Sequence, residues 1–279
     1  DALWRRFSTA RTSYTRRRKS HFAEQHEKRD QARAVKEVLV ERGLWSQYLE
    51  VAIGPHAEIF TKVPVLSSVG WGAEIGVRSD SDWNNPEPEV VLAVDSRGRI
   101  KGATLGNDVN LRDVEGRSAL LLGKAKDNNA SAAIGPFLRL FDAGYGLDDV
   151  RRAELTLRVE GTDGYVLDGR SSMDQISRDP ADLVAQAVGP HHQYPDGFML
   201  YLGTLFAPTQ DRDAPGQGFT HHPGDVVTIS EPSLGALVNI VRLSTECPEW
   251  RFGTGALMRN LAARDLLDPL APSDLTMYT

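Results

Sequence analysis

The chain has 279 residues, 25% of them charged and 41% hydrophobic, with a formal net charge of −6 at pH 7. That composition is ordinary for a soluble globular protein, and its acidic balance argues against a general nucleic-acid binder, which carries a basic footprint. The lone cysteine, Cys247, excludes an internal disulfide and fits a reducing compartment; without a membrane-length apolar run or a signal-peptide pattern, a cytoplasmic protein that touches no membrane is expected.

Residues 1–20 are basic, with Arg5, Arg6, Arg11, Arg16, Arg17, Arg18 and Lys19, but they lack aromatic interleaving or zinc spacing. They read as a solvated or partner-facing segment. From 21 to 42, Phe22, Ala32, Val35, Val38 and Leu39 recur at helical spacing with Gly43 as the cap, and a break is expected near Asp30. Residues 45–54 read as a connection, and 58–63 alternate as a strand ended by Pro64. Residues 67–76 read as a loop or an irregular pair of short strands.

The apolar run Val90 to Val94 and the stretch 100–105 flank Asp95-Ser96-Arg97-Gly98, a turn signal that predicts an antiparallel hairpin. Residues 115–130, with Gly116, Gly123 and Asn128-Asn129, read as a long loop. A second hairpin runs from 150 to 167 around Gly161-Thr162-Asp163-Gly164. Asp179-Pro180 opens a short helix closed by Gly189. Strands follow at 198–206, 225–229 and 234–241, and a terminal helix at 255–267. Many short strands with few helices predict an α+β, mainly β fold with a mixed sheet. A helical segment, 1–54, precedes a β-rich catalytic domain, 55–279. No GxGxxG or GxxxxGK[ST] motif supports a nucleotide cradle.

Into the first hairpin runs Pro86-Glu87-Pro88-Glu89. On an extended segment Glu87 and Glu89 point to the same side, and the hairpin carries Asp108 back towards them. Three hard oxygen ligands without His or Cys suit Mg²⁺ or Mn²⁺. The same glutamates would also suit a solvated strand edge, and spacing alone does not choose. His191-His192 and His221-His222 read as loop residues, because adjacent strand residues face opposite ways and neither pair has a spaced third ligand.

Taken together, Pro86-Glu87-Pro88-Glu89, then Asn107-Asp108-Val109-Asn110-Leu111-Arg112-Asp113, then Lys126 ahead of Gly135-Pro136 resemble the fumarylacetoacetate hydrolase superfamily. Glu58-Ile59-Phe60-Thr61-Lys62 and residues 77–83 resemble its 2-keto-3-deoxypentonate dehydratases most. The resemblance implies a mixed β-sheet roll, a divalent metal on Glu87, Glu89 and Asp108, and a substrate lysine at Lys126. It also brings Glu58, Phe60 and Lys62 to the site, places Thr204 on a loop that contacts the substrate carboxylate, and favours a homodimer or homotetramer.

The implied substrate is a small 2-keto acid. Its chelation by the metal would acidify C3, and loss of the C4 hydroxyl would lead to 2-oxoglutarate semialdehyde. Glu58 is assigned the acid–base work, on the expectation that apolar Ile59 and Phe60 desolvate it. Lys126 would stabilise enolate charge, and Lys62 is either part of this chemistry or a structural ion pair. Arg112 and Asp113 read as a salt bridge under the metal, and Trp71 and Trp83 as pocket walls or core. The rivals are a C–C hydrolase of a diketo acid of the fumarylpyruvate or acylpyruvate type, a decarboxylase or tautomerase, and a non-catalytic sugar-acid binding protein. The hydrolase needs a water-activating His-Glu pair, for which His21 and Glu24 offer only the spacing.

Overall fold

The computed structural model describes residues 34–206 and 208–267. The basic segment 1–20 and the pair His21 and Glu24 lie outside them. Two compact units divide the chain: a smaller one holds the described residues up to Ile59 together with Ser177–Ala187, and a larger one holds Phe60–Ile176 and the described residues from Val188 onward.

In the smaller unit, residues 34–41 are helical. Gly43 ends this helix with φ +66°, its N–H donating to Val40 and the Leu44 N–H to Leu39. That is the bonding of a glycine C-cap, as Gly43 predicts. The expected connection at 45–54 instead contains a helix, α1 (Gln47–Ile53), capped by Ser46, whose hydroxyl accepts from the Leu49 N–H at 3.3 Å. The predicted strand at 58–63 does not form, and these residues have no regular secondary structure. Alternation is a strand signal only where a neighbouring strand takes up the backbone hydrogen bonds.

Among its described residues the larger unit carries eleven strands: β1 (Glu74–Val77), β2 (Asn84–Asn85), β3 (Pro88–Val94), β4 (Ile100–Asp108), β5 (Asn110–Leu111), β6 (Ala132–Leu140), β7 (Glu154–Glu160), β8 (Val166–Ser172), β9 (Phe198–Tyr201), β10 (Val226–Glu231) and β11 (Gly235–Leu243). They form a five-stranded sheet ordered β1-β11-β10-β7-β8, a four-stranded sheet ordered β6-β4-β3-β9, and the pair β2-β5. The first is mixed, because β1 runs parallel to β11 and the other pairings are antiparallel. The α+β, mainly β reading holds. β4 and β6 pack against β10 and β11, joining Val90, Leu92 and Leu105 of one sheet to Ile229, Leu237 and Val241 of the other in the buried core.

Both predicted hairpins form. β3 and β4 meet through the turn at Asp95, whose carboxylate accepts from the Arg97 and Arg99 N–H groups at 3.0 Å, while Gly98 takes φ +71°, which costs glycine nothing. β7 and β8 pair from Glu160↔Val166 to Glu154↔Ser172. The expected loop 115–130 folds instead as a short 3₁₀ turn, Ala119–Leu121, leading into α3 (Leu122–Lys126), and follows α2 (Arg112–Glu115). Its glycines conceal the apolar residues Val114, Leu121 and Ala125, which pack with Leu111. Among the described residues no helix is long and apolar enough to cross a membrane.

A buried ion group closes one end of β10. Arg212 donates to both oxygens of Asp225 at 2.7 Å, the His222 N–H donates to it at 2.9 Å, and His221 Nδ1 lies 3.3 Å away. Burial disfavours the Asp225 charge, but Arg212, His221 and the His222 amide outweigh it and hold the carboxyl well below the usual range. A lowered folded-state pKa gives stability that is present above the unfolded value near ~3.9 and lost as pH falls through the folded one. Asp225→Asn should therefore cost about 3–5 kcal/mol at pH 7 by leaving Arg212 short of its buried partner. The deficit, read by denaturant unfolding, should shrink below about pH 4, where unfolded wild type takes up a proton that the folded carboxyl resists and so loses its stability advantage.

Candidate metal centre

Pro86 and Pro88 hold the acidic stretch extended, since each fixes its own φ and biases its predecessor away from helix. The β3–β4 register sets Pro88 opposite Asn107 and Glu89 opposite Gly106, and the Asp108 N–H donates to the Glu87 carbonyl at 3.1 Å. The hairpin thus brings Asp108 to the glutamates as predicted. Carboxylate oxygens of Glu87, Glu89 and Asp108 all lie within 4.8 Å of one another, and Glu89 and Asp108 are only 3% and 5% exposed. The solvated-edge alternative fails on that burial.

Two lysines answer this charge. Lys126 ends α3 with Nζ 2.5 Å from Glu87 and 3.3 Å from Asp108, and 4.0 Å from Glu115. Burial opposes its charge, but Glu87, Asp108 and Glu115 outweigh that and raise its pKa. Lys62 donates to Val109 O and Ser131 Oγ at 3.2 Å and to the Lys126 carbonyl, with Asp108 Oδ1 at 3.0 Å. For Lys62, burial wins over Asp108 and lowers the pKa.

The donor set fits a hard divalent cation. Burial, then repulsion from Asp108, pushes Glu87 up to about 7 even beside Lys126. Burial, Asp108 and Glu87 raise Glu89 well above the usual range. Asp108 Oδ1 is buried, with the Lys62 ammonium 3.0 Å away. Three crowded carboxylates, whose mutual repulsion the two lysines only partly offset, are what a cation held by Glu87, Glu89 and Asp108 would neutralise.

Beside Glu87 opens a cavity of about 330 Å³, whose polar lining is Asn85, Glu87, Asn110, Arg112, Glu115 and Thr204. Leu205 and Phe206 complete it. The structure thus unites Glu87, Glu89, Asp108, Lys62 and Lys126, and puts Thr204 on the adjoining cavity. Phe60 is exposed and does not line it. Glu58 belongs to the smaller unit and is exposed, without the desolvation expected for it. Asp113 takes a hydrogen bond from Ser81 at 2.7 Å and pairs with Arg117 at 3.6 Å, not with Arg112. Arg112 lies over the Trp83 ring at 4.7 Å, and neither Trp83 nor Trp71 is core, at 42% and 61% exposed.

Asn85, Asn110, Arg112 and Glu115 are cavity residues that sequence reasoning missed. A signal existed for two of them: Asp108, Asn110 and Arg112 repeat the period of two that singled out Glu87 and Glu89.

The Gly203 N–H donates to Glu89 at 2.6 Å, from a backbone at φ +89° that favours glycine. Gly203→Ala should strain this loop, release Glu89 and weaken Mg²⁺ affinity about 10–100-fold, read by calorimetry.

Comparison with known proteins agrees with this geometry. A probable 2-keto-3-deoxyxylonate dehydratase of Haloferax volcanii is 30% identical over 201 residues, 72% of this chain and 65% of that protein. A 2-dehydro-3-deoxy-D-arabinonate dehydratase of Saccharolobus solfataricus is 30% identical over 198 residues, 70% of this chain and 62% of its own length. Both similarities agree with the resemblance of the chain to the fumarylacetoacetate hydrolase superfamily. Among solved structures, a 2-keto-3-deoxy-D-arabinonate dehydratase complexed with magnesium and 2,5-dioxopentanoate superposes on this chain with a TM-score of 0.63 at 29% identity, covering 71% of this chain and 66% of that one. The chain spans slightly less than two thirds of the length of the curated relatives it matches. Residues 2–43 match a separate family described as a Domain of Unknown Function (DUF349).

Proposed function

We propose that this chain is a fumarylacetoacetate hydrolase superfamily hydro-lyase that dehydrates a 2-keto-3-deoxypentonate of the D-arabinonate or D-xylonate type to 2,5-dioxopentanoate (2-oxoglutarate semialdehyde), with Mg²⁺ or Mn²⁺ as cofactor. The observation that carries it is the carboxylate trio, Glu89 and Asp108 buried and Glu87 partly so, with Lys126 against it and opening on a polar cavity. The names of the relatives supply the substrate class.

The bound cation supplies Lewis-acid polarisation of the 2-keto group, which acidifies C3. Lys126 holds a fixed positive charge where enolate charge develops. Thr204 Oγ accepts from the Phe206 N–H at 3.2 Å, leaving its proton free to donate to the substrate carboxylate, and Arg112 adds a cation to the same wall. Removal of a C3 proton expels the C4 hydroxyl as water. The C3–C4 double bond then migrates towards C5, whose hydroxyl-bearing carbon becomes the aldehyde, with no net oxidation. Glu58 is the proposed acid–base residue and Phe60 a proposed substrate contact, both on the superfamily resemblance. Lys62, ion-paired to Asp108, positions that ligand. Glu58→Gln should lower kcat about 10²-fold or more with Mg²⁺ affinity unchanged; full activity would remove it from the mechanism. Homo-oligomer formation is supported by Phe137, Leu138 and Leu140, exposed on edge strand β6, and light scattering tests it.

The deciding assay supplies Mg²⁺ and 2-keto-3-deoxy-D-arabinonate and follows 2,5-dioxopentanoate through an NAD⁺-linked aldehyde dehydrogenase. Turnover that EDTA abolishes is expected. Pyruvate as product would assign C–C bond cleavage instead, and no turnover would overturn the reading.

A further inference from the structure

We infer that Asn85 and Asn110 form a paired hydrogen-bond acceptor that selects a 2-keto acid by the hydroxyls on its chain; the inference deepens the functional reading above and rests on it for the substrate class. The two asparagines are direct cross-strand partners in the β2–β5 pair. Each is 1% exposed, and both line the cavity next to Glu87.

Their amides are oriented by their neighbours. Asn110 Nδ2 donates to Glu87 Oε1 at 2.9 Å and to Glu115 Oε2 at 2.6 Å; reversing the amide would set its oxygen against two carboxylates. Asn85 Nδ2 donates to the Pro86 carbonyl at 3.0 Å, and the reverse would again oppose two oxygens. Both Oδ1 atoms are therefore acceptors, and both are buried with no hydrogen-bond partner among the described residues. Buried acceptors are seldom left unpaired, because each forfeits the hydrogen bonds it made with water.

Both side chains line the cavity, the nearest place from which a donor can arrive, and because the two oxygens are themselves closed to solvent the lining must shift slightly as the ligand enters. A carboxylate or keto oxygen cannot donate, and an alkyl chain offers nothing. A hydroxyl on the chain beyond the keto group has the matching chemistry. Such a site rejects the analogue lacking the hydroxyl, because its own acceptors then stay unpaired.

The test uses two non-reactive ligands on the Mg²⁺-loaded full chain. 3-Deoxypentonate (2,4,5-trihydroxypentanoate) and 2-hydroxypentanoate share the carboxylate and C2 hydroxyl and differ only at C4 and C5. Neither has the 2-keto group needed for elimination. Calorimetry should show wild type preferring the trihydroxy acid by about tenfold or more. Asn85→Ala, whose only lost donor contact is to its neighbour Pro86, should reduce the preference to about twofold, with affinities for 2-hydroxypentanoate and Mg²⁺ preserved.

Absence of preference in wild type overturns the inference, whether or not Asn85→Ala folds. So does a folded Asn85→Ala protein that keeps the preference or weakens both ligands equally. The turnover assay separates the two claims. Preference without turnover defeats the dehydratase reading and leaves the acceptor pair standing, whereas turnover without preference does the reverse.

Discussion

Glu89→Gln is expected to remove Mg²⁺-dependent activity, with kcat/KM falling about 10³-fold or more, corresponding to the several kcal/mol that a metal contributes to transition-state charge. Glu89 is 3% exposed, and its carboxylate shares a 4.8 Å cluster with Glu87 and Asp108. The amide keeps the shape and the contact distance to the Gly203 N–H while removing a negative donor. A thermal measurement gives an independent reading. Wild type should gain melting temperature on adding Mg²⁺, because a ligand that binds only the folded state stabilises it, and Glu89→Gln should gain little. Full activity of this variant in EDTA would overturn the metal centre.

Lys126→Met is expected to lower kcat about 10²–10³-fold, the usual effect of deleting one fixed charge-stabilising group. Its predicted signature differs from that of Glu89→Gln. The ammonium sits 2.5 Å from Glu87 and 3.3 Å from Asp108, so its loss removes a positive charge from the cation's own ligands. Mg²⁺ affinity should hold or tighten while turnover falls. The metal-free protein should lose about 3–5 kcal/mol of stability, since buried carboxylates would be left without their partner, and Mg²⁺ should restore part of it. Unchanged kcat would relieve Lys126 of any role in the reaction. Lost Mg²⁺ affinity would make it a scaffold for the ligands instead.

The two variants test a centre whose candidate ligands were readable from the chain alone. Glu87 and Glu89 alternate on a proline-stiffened extended segment, and Asp95 to Gly98 carries a turn signature, so local rules were enough to bring Asp108 back to them. Hairpins couple residues close in sequence, and their register follows from turn chemistry and side-chain alternation. The motif order from Pro86 to Lys126 likewise pointed to the superfamily. The Gly43 cap and the Asp179 cap, whose side chain accepts from the Ala181 N–H at 2.9 Å, were legible for the same local reason.

What stayed hidden depended on distant partners. Residues 58–63 alternate like a strand but have no neighbouring strand, and the glycines of 115–130 masked the short helices that present Lys126. His221 lies in a loop as read, but its side chain is fully buried against Asp225, a contact organised by Arg212 from another segment. Arg112 was matched to its chain neighbour Asp113, whereas the fold sends it across Trp83 to the cavity. The sequence by itself determined the strand-rich class, the hairpins and the meeting of Glu87, Glu89 and Asp108, because residues close along the chain enforce them, while Lys126 entered through the superfamily resemblance. Only the tertiary structure decided burial, and with it the charge crowding at Glu87 and Glu89, the exposure of Glu58 and the unpaired oxygens of Asn85 and Asn110. Desolvation and hydrogen-bond satisfaction are set by what surrounds a group in space, which pairwise spacing along the chain does not encode.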